Sequence, residues 1–215
     1  GWAGLGSVGG STTWINGYCT SSFFRMIVEH ENGHNLRLLH AGEKTTYDDN
    51  YAIMGNRCRA AYCHFQASHK FRLGWTSAYR VGTATAATVQ LTSTRNPSPG
   101  QRLHGYEFTS GTDRITVEHA DFFALQTTSS PPVCVARRRA DPISSTTMVV
   151  QYMQPNTEYK IDGLALRCSA ASGSGMDTSV TLTIGSGAAP SPSSSPAPPP
   201  PSPSPSPSPS PSPSP

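Results

Sequence analysis

The sequence contains few charged residues, no basic stripe and no long apolar run. Only 13% of its 215 residues are charged, against ~25% in a typical soluble domain. No apolar run approaches the ~20 residues that a transmembrane helix needs, so we expect no membrane span. The single basic run, Arg137-Arg138-Arg139, makes no stripe for a nucleic-acid groove, and a solvated loop is the better interpretation of it. The sequence therefore predicts neither a membrane protein nor a nucleic-acid-binding protein.

Several sequence motifs are also missing. There is no G-x-S-x-G nucleophile motif, so no serine-hydrolase triad is indicated. No Asn-x-Ser/Thr sequon occurs, because Asn96 precedes a proline, and N-glycosylation is not predicted. The chain opens on Gly1-Trp2-Ala3-Gly4 without an initiating methionine or a signal peptide. We therefore expect a fragment or a processed product whose N-terminal part is absent.

The sequence divides into three regions of different composition, and the predicted fold class is α+β. In residues 1–76, a helical pattern begins at a cap among residues 20–22 and runs to His34. Residues 77–186 contain short Val/Thr/Ile-rich runs that predict a small β-sandwich. Residues 187–215 are a Ser/Pro-rich tail, for which we expect disordered polyproline-II structure because proline fixes φ and removes a donor. The expected strands are 12–15, 88–92, 114–118, 122–127, 133–136, 146–152 and 179–184.

The helical pattern carries the segment HENGHNLRLLH, from His30 to His40. His30 and His34 are four residues apart, so on a helix both imidazoles project from one face, about 6 Å apart along the axis. Glu31 lies beside them and can reach a metal-bound water. His40 lies beyond the helix and supplies a third ligand if the chain turns back. Three neutral imidazoles plus water make the open tetrahedral site of a catalytic zinc ion; the alternative is a helix whose histidines are ordinary surface or core polar groups.

This segment resembles the zinc signature HExxHxxGxxH of the metzincin metalloproteases. Farther along the chain, Tyr51-Ala52-Ile53-Met54-Gly55 is similar to their Met-turn, the loop whose methionine lies beneath the metal. The flanking segments GWAGLGSVGGSTTWING and CHFQASHKFRLGW resemble the gametolysin group, the M11 peptidases of green algae. The resemblance covers residues 1–75 well and the β-rich region only loosely. Residues 1–76 are therefore expected to be the C-terminal part of a metzincin-like catalytic domain.

The resemblance implies a zinc endopeptidase that cleaves hydroxyproline-rich glycoproteins of the cell wall or extracellular matrix. His30, His34 and His40 would bind Zn2+, and Glu31 would act as general base on the zinc-bound water and return the proton to the leaving amine. Met54 would support the site without binding the metal; its alternative role is that of an ordinary core methionine. The low charge, the five cysteines and the tail favour a secreted protein.

The Ser-Pro tail allows two interpretations. It is either a plain spacer or, by its resemblance to algal wall proteins, a rod whose prolines are hydroxylated and O-glycosylated. In the second case the tail would tie the protein to the extracellular matrix.

Two departures from the family pattern keep an alternative function open, a catalytically inactive protease-like binding module or a structural cell-wall glycoprotein. Position 37 is Arg where the family has Gly, and that glycine allows the left-handed backbone in which the helix ends. An Arg in this conformation costs roughly 1–2 kcal/mol and is expected to loosen His40. In addition, only 29 residues precede His30, where metzincin domains place most of a twisted sheet and another helix.

Other polar clusters give weaker signals. Cys134 and Cys168 lie in the same β-rich region and can pair, and Asp48 and Asp49 favour a turn over a calcium site. Residues 1–10 are either a glycine-rich loop or an edge strand to which a substrate adds as a further strand. A second zinc site is not expected at Cys58, Cys63, His64 and His69, because the two pairs are spaced too closely for a zinc finger and an oxidising compartment favours disulfides for the cysteines.

Overall fold

The structure is a computed structural model. The strand expected at 122–127, the tail at 187–215, and Cys58 and Cys63 lie outside the residues that it describes. No helix among the described residues combines the length and the apolar character needed to cross a bilayer. The described residues are 3–17, 21–49, 51–56, 64–76, 80–83, 86–97, 100, 102–121, 131–139 and 146–185.

The described secondary structure includes two α-helices, twelve strands and a short 3-10 helix (Gly175–Asp177), and it is β-rich α+β as expected. The helices are α1 (Ser21–Asn35) and α2 (Ala67–Arg72). The strands are β1 (Gly4–Gly6), β2 (Thr13–Ile15), β3 (Ala41–Gly42), β4 (Arg80–Thr83), β5 (Ala87–Thr92), β6 (Gly105–Ser110), β7 (Asp113–His119), β8 (Cys134–Arg139), β9 (Thr147–Met153), β10 (Glu158–Ile161), β11 (Leu164–Cys168) and β12 (Ser179–Gly185).

The β-rich region forms two sheets that pack face to face, as the sandwich interpretation predicts. One sheet has six strands in the order β3-β9-β8-β7-β6-β4, and the other has four in the order β10-β11-β12-β5. Alternate residues of each strand face the partner sheet, and they form one apolar core. The Cys134–Cys168 disulfide crosses this core from β8 to β11, so the expected pairing of these two cysteines is present. Fully buried core side chains include Leu91, Phe108, Ile115, Val117, Leu166 and Leu182.

The second face of the six-stranded sheet is polar and nevertheless buried. Glu107, Thr116 and Arg137 stand opposite one another across β6, β7 and β8, and each is less than a tenth exposed. Arg139, on the same face of β8 as Arg137, is also buried and pairs with Glu107. The solvated-loop interpretation of the arginine run is therefore wrong. The run is a strand, and two of its guanidinium groups, those of Arg137 and Arg139, pair with buried carboxylates that lie far away in the sequence.

The segment after the candidate metal ligands covers this polar face. Glu118 of β7 accepts a hydrogen bond at 2.6 Å from the amide of Ala67, at the start of α2. Thr147 of β9 donates its hydroxyl to Gln66 at 2.9 Å. Strand β3, which follows His40, pairs in parallel with β9. The six-stranded sheet therefore includes a strand from residues 1–76 as well as strands from residues 77–186.

The glycine-rich start of the chain forms a hairpin against α1. Strands β1 and β2 pair in antiparallel register from Gly4↔Ile15 to Gly6↔Thr13. The amide group of Asn35, at the end of α1, lies 2.7 Å from the hydroxyl of Thr13. Of the two interpretations of residues 1–10, the structure thus contains a strand, which lies over the helix that carries the histidines.

Removal of the Cys134–Cys168 disulfide provides a first test of this fold. Replacing Cys134 and Cys168 together by Ala removes a crosslink between residues 34 apart and should lower the free energy of unfolding by about 3–4 kcal/mol, because the unfolded chain gains freedom. Urea denaturation followed by circular dichroism measures the change. As a control for the remaining cysteines, the double variant is also denatured in the presence of a reducing agent, and the two free energies of unfolding are compared. Equal stability of the double variant and the parent chain would contradict a structural role for the bridge.

Candidate metal centre

Three histidines converge at the C-terminal half of α1. His30 and His34 lie on adjacent turns of the helix with ring centroids 4.9 Å apart. The chain then reverses, and the ring of His40 comes to 4.8 Å from that of His34 and 5.3 Å from that of His30. One donor nitrogen from each residue lies within 4.8 Å of the other two. Among the described residues, this is the one group of three or more His, Cys, Asp or Glu side chains arranged to hold a metal ion.

Backbone carbonyls fix the orientation of two of the rings. Nδ1 of His30 lies 2.7 Å from the carbonyl oxygen of Ile53, and Nδ1 of His34 lies 2.9 Å from that of Leu38. A carbonyl only accepts, so each Nδ1 carries the proton and each Nε2 keeps a lone pair. Such hydrogen bonds are typical of metal-binding histidines. Nε2 of His34 lies 3.1 Å from Nε2 of His40, so the donor nitrogens of these two rings lie side by side.

The surroundings favour neutral imidazoles in this cluster. Burial lowers the pKa of His30 to about 4, and burial also lowers the pKa of His40. Desolvation penalises the charged form of a histidine. A neutral ring is the form that binds a metal, so the site is prepared for a cation.

The reversal between His34 and His40 is a Schellman turn with Arg37 at its left-handed position. Arg37 has φ +66°, which is the conformation expected where the family has glycine. Its amide donates to the carbonyl of His34 at 2.8 Å, and the amide of Leu38 donates to that of Gly33 at 2.9 Å, which is the hydrogen-bond pair of this motif. The side chain of Arg37 lies against Gly9 in the β1–β2 turn. The arginine therefore adopts the required backbone conformation.

Met54 lies directly beneath the helix. It is fully buried, and its sulfur occupies the space where a side chain on Gly33 would lie. The carbonyl of Met54 accepts a hydrogen bond at 2.8 Å from the amide of Ala41, the residue after His40. The Met-turn thus contacts the segments that carry all three histidines, since the carbonyl of Ile53 holds His30.

Glu31 is held between α1 and strand β1. A Cβ atom on Gly4 would lie 2.6 Å from Oε1 of Glu31, so glycine is needed where the strand crosses the carboxylate. Burial raises the pKa of Glu31, and a hydrogen bond from the amide of Gly6 opposes this rise. A carboxylate with a raised pKa is better matched to proton transfer near neutral pH.

The histidines and Glu31 open into one cleft of about 550 Å³. Strand β1 and Val8 form one wall, and the loop that contains Tyr47 forms another. The ring of Tyr47 lies 4.1 Å from that of His40, and burial followed by the charge of Glu31 raises its pKa, so its hydroxyl stays protonated and can donate. Sequence analysis did not identify Tyr47, because no spacing rule connects a loop tyrosine with the histidine motif. The lining residues are Gly4, Leu5, Gly6, Val8, His30, Glu31, His34, Leu39, His40, Thr46, Tyr47 and Thr146.

Comparison with protein families identifies this arrangement. The family model of the gametolysin peptidase M11 matches residues 1–121, a range that contains the three histidines, Glu31 and Met54. The chain belongs to the gametolysin family. Members of this family are zinc metallopeptidases. No curated protein and no solved structure shows significant similarity to the chain.

The other acidic candidates of the gametolysin-like region have structural roles. Oδ1 of Asp48 accepts hydrogen bonds from the amides of Glu43, Lys44 and Thr45 at 2.7, 3.0 and 2.9 Å, and these bonds lower the pKa of Asp48. Asp49 pairs with Arg137. Both residues therefore organise the loop between His40 and Met54, as the turn interpretation predicts.

Gly33→Ala tests the contact between α1 and Met54. At most helix positions this change stabilises by up to ~1 kcal/mol, but here the added methyl group would overlap the sulfur of Met54. We expect a lower melting temperature and weaker zinc binding, measured by thermal unfolding and by chelator competition. Gly17→Ala is the control, because nothing lies within 4 Å of a Cβ at residue 17. A Gly33→Ala variant more stable than the parent would contradict this packing.

Arg37→Gly tests the strained turn. Glycine adopts φ +66° without the penalty of roughly 1–2 kcal/mol that other residues carry. The variant also loses the side-chain contact with Gly9, so its free energy of unfolding should exceed that of the parent chain by up to ~1 kcal/mol. Zinc affinity should stay within twofold, because the turn already has its required shape. Denaturant titration and chelator competition measure the two quantities. A large rise in zinc affinity and rate together would instead identify Arg37 as a lesion in the site.

Proposed function

We propose that the chain is a zinc-dependent endopeptidase with His30, His34 and His40 as the metal ligands and Glu31 as the catalytic base. The convergence of three oriented imidazoles beside a buried carboxylate, at the floor of an open cleft, supports this proposal most directly. Membership of a metallopeptidase family supports it independently. Met54 is proposed to support the site from below without binding the metal.

The donor set fits zinc. Two nitrogens that bind one zinc ion tetrahedrally at ~2.0–2.1 Å lie roughly 3.3 Å apart, and the Nε2 atoms of His34 and His40 are separated by 3.1 Å. Three protein ligands leave one coordination position open, which is the arrangement of catalytic rather than structural zinc sites. The lowered pKa values of His30 and His40 keep these rings in the form that zinc binds.

The side chains around the cleft have complementary tasks in peptide hydrolysis. His30, His34 and His40 would hold the zinc ion, which would supply a Lewis acid for the scissile carbonyl and the attacking water. Glu31 accepts the proton from that water and returns it to the leaving amine. Strand β1 pairs with β2 along one edge, and we propose that its other edge receives the substrate as an added strand. Tyr47 lies where its hydroxyl can donate a hydrogen bond to the bound peptide.

Substrate class and compartment are part of the proposal. We propose that the enzyme is secreted and cleaves hydroxyproline-rich glycoproteins of the cell wall or extracellular matrix. The resemblance to the algal gametolysins supports this substrate class. The Cys134–Cys168 disulfide supports an oxidising compartment, and the Ser-Pro tail suits a protein of the extracellular matrix. The alternative of an inactive module relied partly on Arg37, and the left-handed conformation that Arg37 adopts weakens that argument.

Zinc content and a single carboxylate substitution test the function. Elemental analysis of the purified chain should give about one zinc ion per molecule, and His30→Ala should remove it. Glu31→Gln should keep the zinc and lower the rate of hydrolysis of hydroxyproline-rich wall glycoprotein by roughly 10²–10⁴-fold, because it removes the base.

The controls for this test lie nearby in the chain. Glu29→Gln changes a carboxylate on the same helix that pairs with Arg25 and should leave the rate unchanged. His64→Ala removes an exposed histidine outside the cluster and should leave the zinc in place. Zinc binding without hydrolysis of either wall glycoprotein or denatured casein would favour the inactive binding module, and absence of zinc would favour the structural glycoprotein.

A further inference from the structure

We propose that Arg137 of strand β8 is a positioning residue for the metal centre and acts through Asp49. This inference depends on the proposed function, because it assigns a part of the same zinc site to the β-sandwich. Arg137 lies beyond the residues 1–121 that the family model matches. The sandwich would then be a component of the active site as well as a neighbouring fold.

The ion pair between Arg137 and Asp49 is completely enclosed. Side-chain exposure is 3% for Arg137 and 0% for Asp49. Nε and Nη2 of Arg137 donate to the same carboxylate oxygen of Asp49 at 3.2 and 3.1 Å. The remaining guanidinium nitrogen, Nη1, donates to Glu118 of β7. One cation therefore pairs with two buried carboxylates, and neither carboxylate is exposed enough for solvent to replace the guanidinium group.

Asp49 connects this pair to both sides of the metal centre. Its amide donates at 3.2 Å to the carbonyl of Ala41, the residue after His40. Its carbonyl oxygen occupies the space beside Gly55, the residue after Met54, where a side chain would otherwise lie. Oδ1 of Asp49 accepts the amide of Tyr51 at 2.8 Å. Asp49 is thus in contact with both ends of the loop between the third histidine and the Met-turn.

Glu118 extends the same connection past the Met-turn. Its second carboxylate oxygen accepts the amide of Ala67 at the start of α2. The guanidinium group of Arg137 therefore fixes two consecutive segments, the His40–Met54 loop and the start of α2, on the rigid face of the six-stranded sheet. The carbonyl of Ile53 orients His30, and β3 begins directly after His40. A displacement of the loop would therefore change the positions of both histidines at once.

The test compares two buried arginines of one strand. Arg137→Met leaves Asp49 buried without its cation. Arg139→Met breaks a second buried pair on the same sheet face, but its partner is Glu107 of β6, which also pairs with Arg114, and not the loop between His40 and Met54. Co2+ is the probe, with affinity measured by chelator competition and site geometry by its visible absorption spectrum. Urea denaturation of each metal-free variant reports the loss of stability separately.

We expect Arg137→Met to weaken Co2+ binding roughly 10- to 100-fold, the usual effect of losing a group that orients metal ligands, and to alter the spectrum. Arg139→Met should also lose stability, but less than Arg137→Met because Glu107 keeps Arg114, and its Co2+ affinity should stay within twofold with an unchanged spectrum. Arg137→Lys should recover part of the affinity. Equal effects of the two Met variants, or unchanged Co2+ binding by Arg137→Met, would overturn the positioning role.

Two further measurements keep the test decisive. If Arg137→Met does not fold, Arg137→Lys and Asp49→Asn replace it, since each keeps a hydrogen-bonding partner in the cavity; wild-type affinity in both would overturn the inference. The unaltered chain is measured first. No binding of Co2+ or Zn2+ by that chain would overturn the proposed function itself. Metal affinity that is the same with and without Arg137 would overturn the positioning role alone.

Discussion

The geometry of the site depends on the sharp turn by which the chain leaves α1. Arg37 at φ +66° lies two residues after the last residue of α1, Asn35, and its left-handed conformation places Leu38 in the core. The carbonyl of Leu38 accepts a hydrogen bond from Nδ1 of His34 and so orients its ring. The next two residues bring His40 next to the ring of His34. A single backbone conformation thus sets the tautomer of one histidine of the cluster and the position of another. The arginine that occupies it carries strain of roughly 1–2 kcal/mol, a small term beside the free energy of about 10–16 kcal/mol that zinc contributes in some structural sites.

A second constraint is that the histidine region and the sandwich meet through charge. The buried face of the six-stranded sheet presents Glu107, Glu118, Arg137 and Arg139, and Asp49 adds a carboxylate from the metal-site loop. Buried charges are costly unless every partner is in place. This interface therefore tolerates few alternative arrangements, and it makes the sheet a rigid support for the loop between His40 and Met54. An apolar interface would allow more sliding of the loop.

The features predicted correctly from sequence are those with local causes. The spacing of His30, His34 and His40 follows from one helix and its exit turn, and the helix itself appears in its periodicity. Five of the expected β-sandwich strands lie within β5, β7, β8, β9 and β12 or overlap them, because Val, Thr and Ile alternate there. Strand β6, Gly-Tyr-Glu-Phe-Thr-Ser, was not predicted, and it carries the buried Glu107. That glutamate becomes acceptable only beside Arg114 and Arg139, which pattern analysis cannot place next to it.

The same reasoning explains the errors at the arginine run and the omission of Tyr47. Three consecutive arginines are usually solvated, and only the tertiary fold brings Asp49, Glu107 and Glu118 within reach of two of them. Tyr47 gains its position from the turn that Asp48 organises, and that turn has no counterpart in helical or strand periodicity. Gly33 illustrates the opposite case. In sequence it only weakens a helix by roughly 1 kcal/mol. In the structure the sulfur of Met54 fills the space of the missing side chain, so the weak point of the helix is the position at which the segment containing Met54 packs against the turn that carries the candidate metal ligands.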